Sequence, residues 1–342
     1  MVRFRGQTTT SRSPDPNPNV PLISPKCKAS QWLATHSRSL RQEAHHRLMV
    51  GPPGAGKTML ASRLPGLLSV LDRYQALEAT MFIAAAGVPL LPGGLATRPP
   101  FRAPHHTAIT AALIAGRSGT ARLGEVSLAH AGALFPDEIA KFAPKVLDGL
   151  RQPLEDRRIV VSRSSVIAVL LADFLLVAAM NPCPCGGGAR AECVCNATEL
   201  HPYVRRLLGP LLDRFDLRVN VHGQRVDDLF AHEPPESTAV VAERLQAARV
   251  RALCRQGSLN RSLSGSQLDE FAPINEPGRA VLRHELENGR LSARGYHRIR
   301  RVARSIADLR SIASEVVDDE AVYLALGLRV AFTKLLPMGR VA

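Results

Sequence analysis

The residues best suited to chemistry form one glycine-rich run, Gly51-Pro52-Pro53-Gly54-Ala55-Gly56-Lys57-Thr58. This run fits the G-x-x-x-x-G-K-[ST] pattern, in which glycines let the backbone curl so that successive N–H groups face phosphate oxygens. The Lys57 ammonium would neutralise the β- and γ-phosphates, and the Thr58 hydroxyl would ligate Mg²⁺. The run therefore predicts a binding loop for a nucleoside triphosphate such as ATP, together with Mg²⁺.

Two carboxylates and one amide are the expected partners of this loop. An apolar run at 133–135 leads through Pro136 to Asp137 and Glu138. Asp137 would complete the Mg²⁺ shell, and Glu138 would orient and deprotonate the attacking water. Asn181 follows another apolar run, at the strand end where ligands bind in open α/β sheets, and would position that water; a plain Asn-Pro turn is the alternative. Pro136 has no N–H, so its strand would lose one ladder hydrogen bond beside the acidic pair.

Short apolar runs alternate with helix-forming segments over the first two-thirds of the chain, which is typical of an α/β fold with a parallel sheet. Strands are predicted at 47–50, 131–135 and 175–179, helices at 58–68, 72–86 and 144–153, and an antiparallel hairpin at 159–162 and 166–171. The later sequence predicts helices only, at 236–256, 276–288, 292–310 and 317–336. We therefore expect a poorly ordered, proline-rich arm at 1–46, an ATP-binding α/β domain at 47–222 and a helical lid or C-terminal domain at 223–342.

Composition and charge narrow the class of protein. The 342 residues include 44 Lys and Arg against 30 Asp and Glu, a net charge of +14. Such an excess of basic residues favours a nucleic-acid partner, although arginine-rich usage that reflects a GC-rich coding sequence explains it equally well.

The longest apolar stretch, 166–180, is interrupted by Asp173 and is shorter than the roughly 20 residues that cross a bilayer. No charged-then-apolar leader opens the chain, so we expect a cytoplasmic protein without membrane contact.

Basic residues cluster in two further segments. The loop at 89–107 contains Arg98, Arg102, His105 and His106, and the hairpin at 157–173 contains Arg157, Arg158 and Arg163. We interpret both segments as DNA-binding loops that would contact the phosphate backbone without sequence preference and in a salt-sensitive way. Solvated surface charge is the alternative interpretation.

Four cysteines follow Asn181 in a C-x-C-x₇-C-x-C pattern, formed by Cys183, Cys185, Cys193 and Cys195. Four thiolates on a glycine-rich loop can close a tetrahedral Zn²⁺ site. Because disulfides are disfavoured in the cytoplasm, free thiols are the alternative. Cys27 and Cys254 are distant in sequence from this group.

The sequence resembles the magnesium-chelatase-like AAA+ ATPases of the ComM/YifB type, from about residue 47 to residue 335. The resemblance rests on the phosphate loop, the Asp137-Glu138 pair and five motifs: FRAPHHT at 101–107, GEVSLAH at 124–130, NPCPCG at 181–186, GPLLDRFD at 209–216 and LSAR at 291–294. It implies a P-loop AAA+ core followed by a helical lid, and a homo-hexameric ring in which ATP hydrolysis moves DNA during branch migration. Arg214 resembles the arginine finger that reaches ATP in the neighbouring subunit, and Arg294 resembles the lid arginine that contacts ATP in cis.

Four features depart from the family pattern. Residues 1–46 are too short for the N-terminal Lon-like domain of these proteins, and the family segment that packs near the adenine is not recognisable at 30–46. Pro136 stands where the family has an apolar residue, and Asp173 stands where it has a basic one. Two alternatives to a DNA motor therefore remain. One is the ATPase subunit of a magnesium-chelatase-type complex, and the other is a nucleotide-binding remnant with weak turnover.

Overall fold

The computed structural model describes residues 45–90, 94–114, 123–162, 167–186, 193–206, 210–223, 236–310 and 314–329. Its strands are β1 (Arg47–Val50), β2 (Phe101–Arg102), β3 (Ala133–Leu134), β4 (Arg158–Ser162), β5 (Ile167–Leu171), β6 (Leu175–Met180) and β7 (Leu217–Asn220). Five of them form one parallel sheet in the order β2-β3-β6-β1-β7, while β4 and β5 form an antiparallel hairpin. The α/β class predicted from the sequence is confirmed.

Strand β1 lies inside the sheet, paired in parallel with β6 on one side and β7 on the other. Leu48 and Val50 pack into the core on one face of the sheet, whereas Met49 packs into the core on the opposite face. A strand covered on both faces needs an apolar run without polar alternation. The runs at 48–50 and 175–180 are of this kind, which explains why these two strands occupy the interior.

Eight helices of the described residues accompany the sheet: α1 (Lys57–Ser62), α2 (Arg73–Ala85), α3 (Thr110–Leu113), α4 (Glu125–Leu128), α5 (Pro144–Gly149), α6 (Arg151–Asp156), α7 (Ala197–Arg205) and α8 (Pro210–Arg214). The predicted helix at 58–68 is too long. Pro65 cannot donate a helical hydrogen bond, so α1 ends at Ser62 and a 3₁₀ turn, Pro65–Leu67, follows. The predicted helix at 144–153 is two helices that meet at Leu150.

The later residues form α9 (Thr238–Gln256), α10 (Gly265–Phe271), α11 (Glu276–Glu287), α12 (Ala293–Leu309) and α13 (Asp319–Gly327). Their apolar faces share one core, and Leu217 and Val219 of β7 belong to it as well. This helical part therefore packs directly against the edge of the sheet. The last helix was predicted at 317–336 but ends at Gly327, and residues 330–336 lie outside the described residues. The domain limits at 46 and 222 stay predictions.

Pro136 disturbs the sheet less than its sequence position suggests. Phe135 N donates to the Arg102 carbonyl at 2.7 Å, and the Pro136 carbonyl accepts from Ala179 N at 3.4 Å. Alternation along β3 points the nitrogen of residue 136 toward β6, where proline has no hydrogen to donate. One donor is missing, but the hydrogen bonds on both sides of it are made.

Among the described residues, no helix combines the length and the apolar character that crossing a membrane requires.

Candidate functional site

The phosphate loop leaves β1 and enters α1 through two glycines with left-handed backbone conformation. Gly54 has φ 75° and Gly56 has φ 82°, values that side-chain-bearing residues rarely adopt. Lys57 opens α1, and its Nζ donates to the Gly51 carbonyl at 2.7 Å, the Pro52 carbonyl at 2.8 Å and Asn181 Oδ1 at 3.1 Å. Burial lowers the pKa of Lys57, although Asp137 and Glu138 act in the opposite direction. The ammonium is therefore held at the mouth of the loop by oxygen atoms alone.

The two predicted Mg²⁺ ligands lie side by side. Thr58 Oγ1 donates to Asp137 Oδ2 at 2.8 Å, and Asp137 Oδ1 accepts from Glu138 N at 2.8 Å. Ligands at about 2.05 Å in octahedral geometry stand about 2.9 Å apart when adjacent, so this oxygen pair has the spacing that Mg²⁺ requires. The residues present thus fit the ion that the fold implies.

Glu138 has a strained backbone and is held by two basic side chains. Its φ of 51° and ψ of 45° are uncommon for a residue with a side chain, and such strain collects at functional sites. Lys141 Nζ lies 2.8 Å from both carboxylate oxygens, and His106 Nδ1 lies 3.7 Å from Oε2. A cavity of about 280 Å³ opens beside this group, lined by Thr58, Asp137, His105 and His106 among others.

Two side chains of the basic loop at 89–107 contact acidic residues of the same chain, and the interpretation of this loop as DNA-binding stays a prediction. His106 faces Glu138, and Arg102 forms a bidentate pair with Glu125, with distances of 2.6 and 2.8 Å. Arg98 and Arg158 are exposed, while Arg163 lies outside the described residues. The FRAPHHT motif singled out these histidines, but nothing in their spacing indicates that they turn toward the acidic pair.

Tyr203 is a site residue that the sequence analysis missed. Its hydroxyl donates to the Asn181 carbonyl at 2.9 Å. Burial, with the nearby Cys183 and Glu138, raises the pKa of Tyr203 well above its usual range, so the hydroxyl keeps the proton it donates. No sequence pattern links a tyrosine on α7 to an asparagine 22 residues earlier.

Arg214 and Arg294 lie near each other in the same chain. Arg214 ends α8 with a side chain only 10% exposed, and it pairs with Glu155 of α6. Burial lowers the pKa of Arg214, and the neighbouring charges of Arg298 and Arg294 lower it further. Arg294 is exposed in the first turn of α12, where a cation opposes the helix dipole by about 0.3–1 kcal/mol. Helix stability therefore gives no reason for an arginine there.

Asp216, two residues after Arg214, ties the sheet to α12. It accepts from His46 N at 3.1 Å and lies 3.5 Å from His45 Nδ1 and 3.8 Å from an Arg298 nitrogen. Burial opposes ionisation, yet the His45 hydrogen bond and the charges of His45 and Arg298 hold the pKa of Asp216 far below its usual range. The carboxylate thus fixes the segment that carries Arg214 against the helix that carries Arg294.

The four predicted zinc ligands come together. The sulfur atoms of Cys183, Cys185, Cys193 and Cys195 all lie within 4.8 Å of one another. Three separations are 3.4, 3.6 and 3.8 Å, close to the roughly 3.8 Å between thiolates bound to tetrahedral Zn²⁺ at about 2.3 Å. The cysteines of the described residues form no disulfide. Cys27 lies outside the described residues.

The sheet order, the phosphate loop after the inner strand, the acidic pair after β3 and the helical C-terminal part together define a P-loop fold of the AAA+ class. Comparison with known proteins agrees with this architecture. The chain belongs to the family described as magnesium chelatase, subunit ChlI: that family's model matches residues 41–229, and the model for the ChlI C-terminal region matches residues 235–329. The family is a class of AAA+ ATPases, as the sequence motifs predicted.

Several curated proteins are similar over most of the chain. Rv2897c of Mycobacterium tuberculosis is 44% identical over 82% of this chain. YifB of Escherichia coli is 39% identical and the competence protein ComM of Haemophilus influenzae is 40% identical, each over 78% of this chain. The chain covers 57%, 52% and 52% of these three relatives, that is, little more than half of their length. The predicted resemblance to the ComM/YifB type is confirmed.

Proposed function

We propose that this protein binds and hydrolyses ATP in a Mg²⁺-dependent reaction. One observation carries the proposal: residues from three motifs far apart in sequence meet within hydrogen-bond distance. Lys57 Nζ contacts Asn181 Oδ1 across 124 residues, and Thr58 Oγ1 contacts Asp137 Oδ2 across 79 residues. A chance glycine-rich turn would not gather an ammonium, a hydroxyl, a carboxylate and an amide at the end of one sheet.

Each residue has a defined task in this reaction. The backbone N–H groups of 51–58 and the Lys57 ammonium bind the phosphates, for which Lys57 exchanges its carbonyl contacts for phosphate oxygens. Thr58 and Asp137 would hold Mg²⁺, and the ion would supply positive charge that neutralises the phosphate oxygens. Glu138 accepts a proton from the attacking water once it is released from Lys141, and Asn181 orients that water.

The test compares ATP turnover and nucleotide binding in four proteins. Lys57→Ala should lose nucleotide binding, whereas Glu138→Gln should keep binding and lose turnover by at least about 100-fold, because only the general base is removed. The unaltered protein should lose turnover when Mg²⁺ is chelated. Lys145→Ala, an exposed lysine on α5, is the matched control and should behave like the unaltered protein. Equal turnover in Lys57→Ala and in the control would refute the proposal.

We further propose that the working form is a homo-hexameric ring. AAA+ family membership supports this assembly, in which Arg214 would reach ATP bound by the next subunit and Arg294 would contact ATP in its own subunit. A guanidinium group suits this task because negative charge grows on the phosphoryl oxygens during phosphoryl transfer, and its N–H groups can donate to those oxygens. Within a single chain, Glu155 forms an ion pair with Arg214. Assembly of the ring therefore has to break this ion pair.

DNA is the partner we propose for this motor. The net charge of +14 and the exposed Arg157 and Arg158 of the hairpin support it, as does similarity to a protein named for competence. Branched DNA should stimulate ATP turnover at low salt, and stimulation should fall steeply as salt rises, because phosphate contacts release counterions. If DNA does not change ATP turnover at either low or high salt, DNA is excluded as the partner.

The family description favours one second candidate, an ATPase subunit of a magnesium-chelatase-type complex. Its partner would be a large chelatase protein rather than DNA. Stimulation of turnover by such a protein, with no response to DNA, would select this candidate over the motor.

We also propose that the four cysteine thiolates hold one Zn²⁺ ion. The donor set is a closed Cys₄ shell, as in structural zinc sites. The sulfur–sulfur distances of 3.4–3.8 Å support this assignment, because the sulfur atoms need little rearrangement to surround the ion.

A further inference from the structure

The cysteine group lies beside the nucleotide site. Asn181, which contacts Lys57, comes two residues before Cys183, and Cys183 is fully buried. Gly186 then packs against the phosphate loop so closely that a Cβ added there would lie 2.7 Å from Pro53 Cγ; its φ is 83°. The segment that provides the first two sulfur ligands therefore contacts the loop at both Lys57 and Pro53.

The second pair of cysteines leads back to the same asparagine. Asn196 follows Cys195 directly and caps α7, where its side chain accepts from Glu199 N and the Glu199 side chain accepts from Asn196 N. Tyr203, on the last turns of α7, donates to the Asn181 carbonyl at 2.9 Å. The four sulfurs thus close a loop whose two ends, Asn181 and Tyr203, are hydrogen-bonded to each other beside the predicted ATP site.

We infer that zinc at the cysteine group positions Asn181 and the phosphate loop and thereby sets nucleotide affinity and turnover. This inference rests on the proposed ATPase function. Without the ion, four thiols supply only weak hydrogen bonds, and structural zinc sites lose order when they are emptied. The loop would then release α7, Tyr203 would leave Asn181, and the contact of Gly186 with Pro53 would loosen.

The first part of the test uses purified full-length protein. Elemental analysis should find one zinc per chain, and the double substitution Cys193→Ser/Cys195→Ser should remove it. Cys254→Ser changes an exposed cysteine on α9 and is the matched control, expected to retain the zinc. Zinc retained by the double variant, or absent from the unaltered protein, would overturn the inference.

The second part measures coupling without relying on ATP turnover. Hydrogen–deuterium exchange should become faster at 51–58 and 181–186 when zinc is removed by a chelator, and it should recover when zinc is returned. Segments of α11 should not change. Equal exchange at 51–58 with and without zinc would overturn the inference even if the protein hydrolysed no ATP.

The third part asks whether the effect passes through Asn181. Removing zinc should lower ATP turnover about 10- to 100-fold, the range typical of losing a supporting contact. In Asn181→Ala, which already lacks the amide, zinc removal should cost much less, whereas full additivity would contradict a role through Asn181. Gly186→Ala should weaken binding of a fluorescent ADP analogue while the protein keeps its zinc. If the zinc-loaded, unaltered protein neither binds nor hydrolyses ATP, the proposed function is refuted. The hydrogen–deuterium exchange experiment would still test the coupling between the zinc site and the phosphate loop.

Discussion

Arg261 donates from one nitrogen to both carboxylate oxygens of Asp173, at 3.0 and 3.2 Å. Asp173 lies between the hairpin and β6, whereas Arg261 belongs to a 3₁₀ turn, Asn260–Ser262, in the helical part. Burial opposes ionisation, but the charges of Arg261 and Arg157 hold the pKa of Asp173 below its usual value. An aspartate that looked like a departure from the family pattern thus joins the base of the hairpin to the helical part.

Replacing Asp173 by Asn should lower the free energy of unfolding by about 1.5–3 kcal/mol, the usual contribution of a hydrogen bond to a charged group. A double-mutant cycle with Arg261→Gln should attribute most of that loss to the pair. Asp148→Asn breaks the exposed pair with Arg151 and should cost less than about 1 kcal/mol. Because folding lowers the pKa of Asp173, its contribution should decrease as acid protonates the carboxylate in the folded protein. A coupling energy between Asp173 and Arg261 that does not decrease under acid would contradict this assignment.

His46 should make the fold sensitive to mild acid. Its Nδ1 accepts from Leu176 N at 3.0 Å, and burial lowers the pKa of His46 to about 4. As pH falls from about 7 to about 4, the unfolded chain takes up the proton first, so the free energy of unfolding should decrease. His46→Asn keeps an acceptor without the titration and should flatten this dependence. Urea unfolding at several pH values measures the free energy of unfolding of both proteins, and His284→Asn, which changes an exposed histidine on α11, is the control.

Pro136→Leu should change ATP turnover less than about twofold. The neighbouring hydrogen bonds of Phe135 and the Pro136 carbonyl are made, and Thr58 still meets Asp137, so the added N–H would not move the acidic pair. Steady-state ATPase assays of the two proteins, with Glu138→Gln as the inactive reference, provide the comparison. A several-fold faster Pro136→Leu protein would show that proline weakens the site and would favour the remnant interpretation.

Arg214 should act across subunits. Arg214→Ala should reduce turnover about 1,000-fold or more, as expected for an arginine finger. Glu138→Gln should reduce it by at least about 100-fold, as expected for a catalytic base. Mixing the two proteins should restore part of the turnover, because a Glu138→Gln subunit still offers Arg214 to its neighbour. Mixing Arg214→Ala with the double variant Arg214→Ala/Glu138→Gln should restore nothing. Equal turnover in the two mixtures would place the action of Arg214 within its own subunit.

The helical part should depend on one buried carboxylate. Asp308 accepts from Arg255, Arg304 and Asn260 at 2.7–3.1 Å, and its side chain is 1% exposed. Asp308→Ala would leave buried charge unpaired and should cost about 3–5 kcal/mol of unfolding free energy. Asp269→Ala removes a 75%-exposed partner of Arg300, which keeps two carbonyl acceptors, and should cost less than about 1 kcal/mol. Comparable losses in both variants would contradict this account.

Local physical chemistry made part of this structure predictable. The apolar runs at 48–50 and 175–179 indicate strands covered on both faces, and the glycines before Lys57 indicate a loop that wraps an anion. The helices predicted at 236–256, 276–288 and 292–310 agree with α9, α11 and α12 to within two residues, whereas α10 was not predicted and the helix predicted at 317–336 ends at Gly327. The helix predicted at 58–68 failed because Pro65 ended it earlier than its composition indicated.

The amino-acid order by itself determined which chemistry is present: the phosphate loop, the acidic pair, the four cysteines and the family all follow from residue types at short spacing, because such motifs act through neighbouring backbone and side-chain groups. Only the tertiary structure decided that His106 faces Glu138, that Glu155 holds Arg214, that Arg261 pairs with Asp173 and that Tyr203 holds Asn181. These contacts join different elements, so they depend on how the sheet and helices pack, and no local spacing encodes that packing.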